Sequence, residues 1–92
     1  MILSFKHKGL EKFYVSGSKA GIQPDHARKL GIILGFLNRA KVPSDVDLSG
    51  WALHPLQGEL EGHWSVKVNG NWRVTFRFSG SDVEIVDYQD YH

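Results

Sequence analysis

His54, Arg73, Asp90, Tyr91 and His92 are the residues of this chain whose types suit proton transfer and phosphate binding. An imidazole titrates near neutrality and serves as general acid or base, while a planar, always-charged guanidinium matches the geometry of a phosphate. Asp90 can orient an imidazole, Tyr91 can stack on a nucleic-acid base and His92 can transfer protons. Pro55 biases the backbone of His54 toward an extended conformation, which helps to aim its ring. Other catalytic templates are missing. Val15-Ser16-Gly17-Ser18-Lys19 is not a phosphate-binding P-loop, no G-x-S-x-G elbow occurs, and there is no cysteine nucleophile. The five histidines, His7, His26, His54, His63 and His92, lack metal-ligand spacing, so neither a metal nor another cofactor is expected.

These residues need a scaffold, and the stretch from Trp64 onward supplies one. Trp64 to Val68 and Trp72 to Phe78 alternate apolar and polar residues, and Val83 to Tyr88 is rich in β-formers. Asn69-Gly70-Asn71 and Ser79-Gly80-Ser81-Asp82 punctuate them, which predicts an antiparallel meander. A three-residue first loop pairs Val68 with Trp72, Val66 with Val74 and Trp64 with Phe76, gathering the large apolar side chains on one face. It also makes Asn71 the left-handed residue. The second loop then pairs Phe78 with Val83 and Phe76 with Ile85. The opposite face carries Ser65, Lys67, Arg73, Thr75, Arg77, Glu84, Val86 and Tyr88, and continued alternation adds Asp90 and His92 near Arg73. Arg77 falls opposite Glu84 and is read as a cross-strand ion pair.

Upstream, Ile2 to Phe5 is a short candidate strand, and Lys8 to Tyr14 a short helix ended by Gly17-Ser18. Pro24 opens a second helix whose Ala27, Leu30, Ile33, Leu34 and Leu37 recur at helical spacing. Gly31 and Gly35 on that helix are expected to permit close packing. Residues 41–50 form a loop with a short helical turn, and Gly58 to Gly62 an acidic connector. The order β-α-α-β-β-β implies a single α+β domain over residues 1–92, with two helices on one face of an antiparallel sheet.

Ninety-two residues support one small core, and 41% hydrophobic with 23% charged residues is ordinary for a soluble chain. The apolar run at Met1 to Lys6 is too short for a signal peptide and nothing approaches a membrane span, so a cytoplasmic protein without membrane contact is expected. The net charge is only +1 but unevenly spread. Residues 1–41 hold eight Lys/Arg against two acids, a balance of +6, and residues 42–92 hold three against eight, a balance of −5. The basic half offers a footprint for RNA phosphates or an acidic partner.

Three segments together resemble the HigB-type toxins of the RelE superfamily: Ser4-Phe5-Lys6-His7-Lys8-Gly9-Leu10, Leu53-His54-Pro55-Leu56, and the C-terminal Trp64-Ser65-Val66, Asn71-Trp72-Arg73-Val74-Thr75-Phe76 and Asp87-Tyr88-Gln89-Asp90-Tyr91-His92. The resemblance spans nearly the whole chain. It implies a RelE-like fold and a ribosome-dependent messenger-RNA endonuclease acting in the ribosomal A site. It also implies a helix-turn-helix, HigA-like antitoxin partner, with operator DNA engaged only through the antitoxin complex. It further makes His54, Asp90, Tyr91 and His92 catalytic and places Arg73 on the scissile phosphate. Lys67 and Gln57 join Arg73 as RNA-binding candidates, although relatives often carry lysine where this chain has Gln57. Without a metal or protein nucleophile, the RNA 2′-hydroxyl is the natural attacking group, with the two histidines sharing the acid and base roles. The alternative is a noncatalytic RNA-binding or protein-interaction domain.

Overall fold

The computed structural model describes residues 1–90. Its frame is a four-stranded antiparallel sheet in sequential order, β1 (His54–Pro55), β2 (His63–Asn69), β3 (Trp72–Ser79) and β4 (Asp82–Asp90). Two helices, α1 (Lys8–Ser16) and α2 (Ala27–Arg39), complete the α+β domain. The helical stripe Leu30, Ile33, Leu34 and Leu37 joins Val66, Val74, Phe76, Val83 and Val86 in one core, with all of these residues at most 1% exposed. Burial of that continuous apolar face is the main stabilising term, since neither a short helix nor a lone hairpin is stable in water.

Each helix begins and ends for a local reason. His7 caps α1 by accepting the Leu10 N–H on Nδ1 at 2.9 Å, and Gly17, at φ 80°, closes it with an N–H to the Phe13 carbonyl. Pro24 starts a single 3-10 turn that leads into α2. After α2, Asp45 accepts the N–H groups of Lys41 and Val42 at 2.9 and 3.2 Å, and these bonds hold its carboxyl below the usual aspartate range. The close packing expected at Gly31 and Gly35 occurs elsewhere. Gly31 has open space where a Cβ would sit and Gly35 has only the end of Arg39 nearby, whereas a Cβ on Gly9 would lie 2.5 Å from the Gly21 carbonyl oxygen. Two backbones meet there, and only glycine fits.

The expected pairs Trp64 with Phe76 and Val66 with Val74 are present, as is Phe78 with Val83. Two bulges alter the rest. Asn69, not Val68, stands opposite Trp72, so the connection shortens to Gly70 and Asn71. Gly70, at φ 56°, takes the left-handed position expected of Asn71, because glycine does so without a Cβ clash. In β4, Arg77 pairs with Glu84 and Thr75 with Asp87, leaving both Ile85 and Val86 opposite Phe76. Ile85 adopts φ 56°, and Val86 rather than Ile85 turns fully into the core.

That extra residue inverts the alternation from Val86 to Asp90. Val86 and Tyr88, expected on the open face, are buried on the helix side, while Asp87 and Gln89 stand opposite Thr75 and Arg73. Asp90 falls opposite Trp72 instead of near Arg73, so the register sets it on the other parity from the arginine.

The edges were also not anticipated in full. Ile2 and Phe5 make isolated parallel bridges to Val83 and Val86, so the N-terminal segment lines the outer side of β4 without forming a continuous strand. The Ile2 N–H is in turn capped by the Asn38 side chain of α2 at 3.2 Å. At the far edge, β1 is only His54 and Pro55, paired with Ser65 and Trp64, a strand too short to show as alternation. The segment leading into it is anchored where Lys67 donates its N–H to the Trp51 carbonyl, and Trp51 packs edge-on against Phe36 of α2.

Candidate active site

The face of the sheet turned away from the helices is polar because every second residue of its strands is polar. Across it the register lays out rows of side chains spaced by about 4.8 Å, the distance between neighbouring strands. One row runs His54, Ser65, Thr75, Asp87; the next runs Lys67, Arg73, Gln89; on the other side stand His63, Arg77 and Glu84. His54 and Arg73 are thus two strands and two residues apart, about 12 Å between Cα atoms for ordinary strand geometry. Ser65 and Thr75 lie between them in the middle of the face, and both are at most 1% exposed.

His54 is exposed at the edge, yet its ring is fixed. Nδ1 lies 2.9 Å from the Ala52 carbonyl oxygen, which can only accept, so Nδ1 carries the proton and Nε2 of the neutral ring is left as a base. The carbonyl is presented by Ala52 at φ 51°, a left-handed conformation that is uncommon without glycine. A local strain therefore aims the imidazole that Pro55 was expected to aim.

Three buried side-chain atoms on this same face have no hydrogen-bond partner among the described residues: Arg73 Nη1, Ser65 Oγ and His63 Nδ1. Buried donors and acceptors are nearly always satisfied, so these three, spread along the face from the His63 row to the Arg73 row, set it apart from the rest of the fold. Arg77 has no such need, since it binds Glu84 through Nε at 3.0 Å and Nη2 at 2.9 Å, the ion pair expected from the register. Gln89, brought opposite Arg73 by the bulge, donates to Asp87 at 2.7 Å and approaches Thr75 Oγ1 at 3.4 Å. Lys67 and Gln57 are exposed, Lys67 directly across from Arg73 and Gln57 in the connection after β1.

The structure thus brings His54, Lys67 and Arg73 to one face. Asp90 ends β4 on the parity of Trp72 and Tyr88, and Tyr91 and His92 lie outside the described residues. A second cluster on the helix side escaped the sequence reading. His26 Nδ1 lies 2.6 Å from the Tyr88 hydroxyl, Tyr88 stacks on Trp72 at 4.6 Å, and His7 meets the Tyr88 ring edge-on. Burial raises the Tyr88 phenol above its ordinary pKa, the Gln23 N–H opposes this, and the charge of Asp90 adds to the rise. The signal was available: His26 continues the stripe of Leu30, Ile33 and Leu37 at helical spacing, and that places it inside.

Among the described residues no helix is long and apolar enough to cross a membrane, and no group of three or more His, Asp or Glu side chains is placed to hold a metal ion. Comparison with known proteins adds to this geometry. The chain is 38% identical over 92 residues to the protein named Endoribonuclease HigB of Proteus vulgaris, covering both chains completely. It is 32% identical over 94 residues to Toxin HigB-1 of Vibrio cholerae serotype O1, covering all of this chain and 98% of the relative. The sequence model of the HigB-like toxins matches residues 3–92, and with these full-length relatives it shows that the chain belongs to that family, the RelE-like HigB toxins of type II toxin-antitoxin systems.

Proposed function

We propose that this chain is the toxin of such a system and acts in the cytoplasm as a ribosome-dependent messenger-RNA endonuclease. The observation that carries the reading is the pairing, on one sheet face, of a His54 ring with a free Nε2 and an Arg73 guanidinium with an unpartnered buried nitrogen. A polar face built this way suits a phosphodiester: the base takes a proton from the ribose 2′-hydroxyl, and the guanidinium binds the phosphate as charge builds on it. The 2′-oxygen attacks the adjacent phosphorus, the 5′-oxygen leaves with a proton, and the products are a cyclic phosphate and a 5′-hydroxyl end. No step passes through a metal.

In this reading His54 and His92 divide the base and acid roles. Arg73 stabilises the phosphorane, and Asp90 orients a histidine. Tyr91 positions a base or assists proton transfer. Lys67, across from Arg73, neutralises a neighbouring phosphate. Gln57 contacts RNA without adding charge. The ribosomal A site presents the messenger and supplies much of the binding surface, which accounts for a net charge of only +1. The basic helical half then faces ribosomal RNA or the antitoxin, a HigA-like helix-turn-helix protein through which the complex reaches operator DNA. Of its cations, Lys29 is partly engaged over the Trp51 ring at 5.5 Å, whereas Arg28 is exposed.

The test is single-turnover cleavage of messenger on programmed ribosomes, with and without a chelator. Cleavage should persist with the chelator, and His54→Ala and His92→Ala should each lower the rate by about 10²-fold or more. Thermal stability of His54→Ala should hardly change, since His54 is exposed and its loss leaves the core intact. Near-normal cleavage by folded His54→Ala protein would remove it from proton transfer. Binding of RNA without any cleavage would favour the noncatalytic alternative.

A further inference from the structure

We infer that Ser4 is a positioning residue, acting through the strained bulge at Ile85 to set which side chains of β4 face Arg73. A β-branched residue at φ 56° is a conformational outlier that persists only when its surroundings enforce it. The N-terminal segment provides that enforcement in three places. Val83 donates its N–H to the Met1 carbonyl at 2.9 Å and accepts the Leu3 N–H at 2.7 Å. Three residues on, Val86 donates to the Ser4 carbonyl at 3.1 Å and accepts from Lys6 at 2.8 Å. The segment thereby skips the bulge, and within that gap the Ile85 N–H is taken by the Ser4 hydroxyl at 2.9 Å.

The consequence reaches the site because the bulge inverts the alternation. With it, Gln89 and Asp87 stand opposite Arg73 and Thr75, and Tyr88 is free to stack on Trp72 beneath the helices. Without it, a one-residue slip would drive Asp87 and Gln89 toward the core and turn Tyr88 out beside the arginine. Gln89 and Asp90 inherit whichever parity the bulge selects. Ser4 lies in the segment outside β4 with its hydroxyl accepting the Ile85 N–H, so its contribution is to geometry and not to binding or proton transfer.

The inference rests on the proposed cleavage for its kinetic arm, and a double-mutant cycle with a separate structural arm tests it. Ser4→Ala should lower the single-turnover rate about tenfold, the equivalent of one hydrogen bond, with KM unchanged. Ser4→Thr, which keeps the hydroxyl, should restore the rate. Ile85→Gly adopts φ 56° without strain. The double variant Ser4→Ala with Ile85→Gly should therefore recover to within about twofold of Ile85→Gly alone, reflecting coupling between the two positions. Ile85→Asn, which also tolerates the left-handed region, serves if the glycine variant folds poorly. Amide hydrogen exchange gives the structural arm: Ser4→Ala should speed exchange at Arg73 and Gln89 while sparing the β2 amides, and Ile85→Gly should reverse this. Unchanged exchange in Ser4→Ala, or a loss that Ile85→Gly fails to suppress, overturns the inference. If the wild-type chain cleaves no RNA, the proposed activity falls, and exchange still decides whether Ser4 holds the bulge.

Discussion

Replacing Arg73 with methionine should separate stability from activity in opposite directions. The aliphatic stem is approximately retained by methionine, so packing along β3 changes little. What disappears is a guanidinium whose Nη1 is buried without a partner among the described residues. A donor left in that condition costs about 1–3 kcal/mol, and because Arg73 is only half-buried the lower figure applies. Relief of about 1 kcal/mol should raise the melting temperature by roughly 4–8 °C in a domain of this size. Cleavage should fall by about 10²–10³-fold, the loss seen when one donor aimed at developing charge is removed. Arg73→Lys should fall between, keeping the charge while losing the planar fork. Thermal unfolding and single-turnover cleavage on the same preparations measure both. A methionine variant that is less stable than the parent by more than about 1 kcal/mol would refute the reasoning, since Arg73 would then be a structural residue satisfied in a way its surroundings do not reveal.

Phe76→Ala removes a fully buried ring from the centre of the sheet and should cost about 3–5 kcal/mol in denaturant unfolding, a large share of what a small domain has. The two glycine pairs should behave oppositely: Gly31→Ala, facing open space on α2, should stabilise by about 0.5–1 kcal/mol, and Gly9→Ala should destabilise by forcing the Gly21 backbone away, both read by thermal unfolding. Tyr88 gives a pH signature. Its pKa is raised in the folded state, so its contribution to stability is fully present below the ordinary value of 10.0 and is lost as pH rises from there through the folded pKa. Tyr88→Phe should flatten the alkaline stability profile, and an unchanged profile would show that another group governs it.

The sheet was legible where side-chain alternation had a large energetic penalty for error. Sliding Val66 and Val74 by one residue would expose both, so their pairing followed from the sequence. The α2 stripe was legible for the same reason. The bulge at Ile85 was not, because nothing in a β-rich run announces that a β-branched residue will turn left-handed; the hydroxyl that takes its N–H belongs to Ser4, far away in the chain. That single miss reversed the expected faces of Val86, Tyr88 and Asp90. Of the candidate site, strand parity put Arg73 on the polar face, whereas nothing in the sequence put His54 there, because the two-residue β1 that carries it is too short to alternate. The Ala52 carbonyl that selects the His54 tautomer depends on a local φ value, which composition and spacing do not encode.

The two margins of the sheet bear on how this protein meets other chains. An unprotected strand margin invites a further strand from another molecule, whether a partner or a second copy. On one side the N-terminal segment already occupies the outer rim of β4 from Val83 to Val86, and the Ile2 N–H is taken by Asn38. On the other, β1 is two residues long and one of them is proline, which has no N–H to offer. Growth of the sheet into a neighbouring molecule is therefore obstructed from Val83 to Val86 on one rim and at Pro55 on the other. Along these stretches another chain has no row of free backbone groups to pair with, and would have to be recognised by side chains.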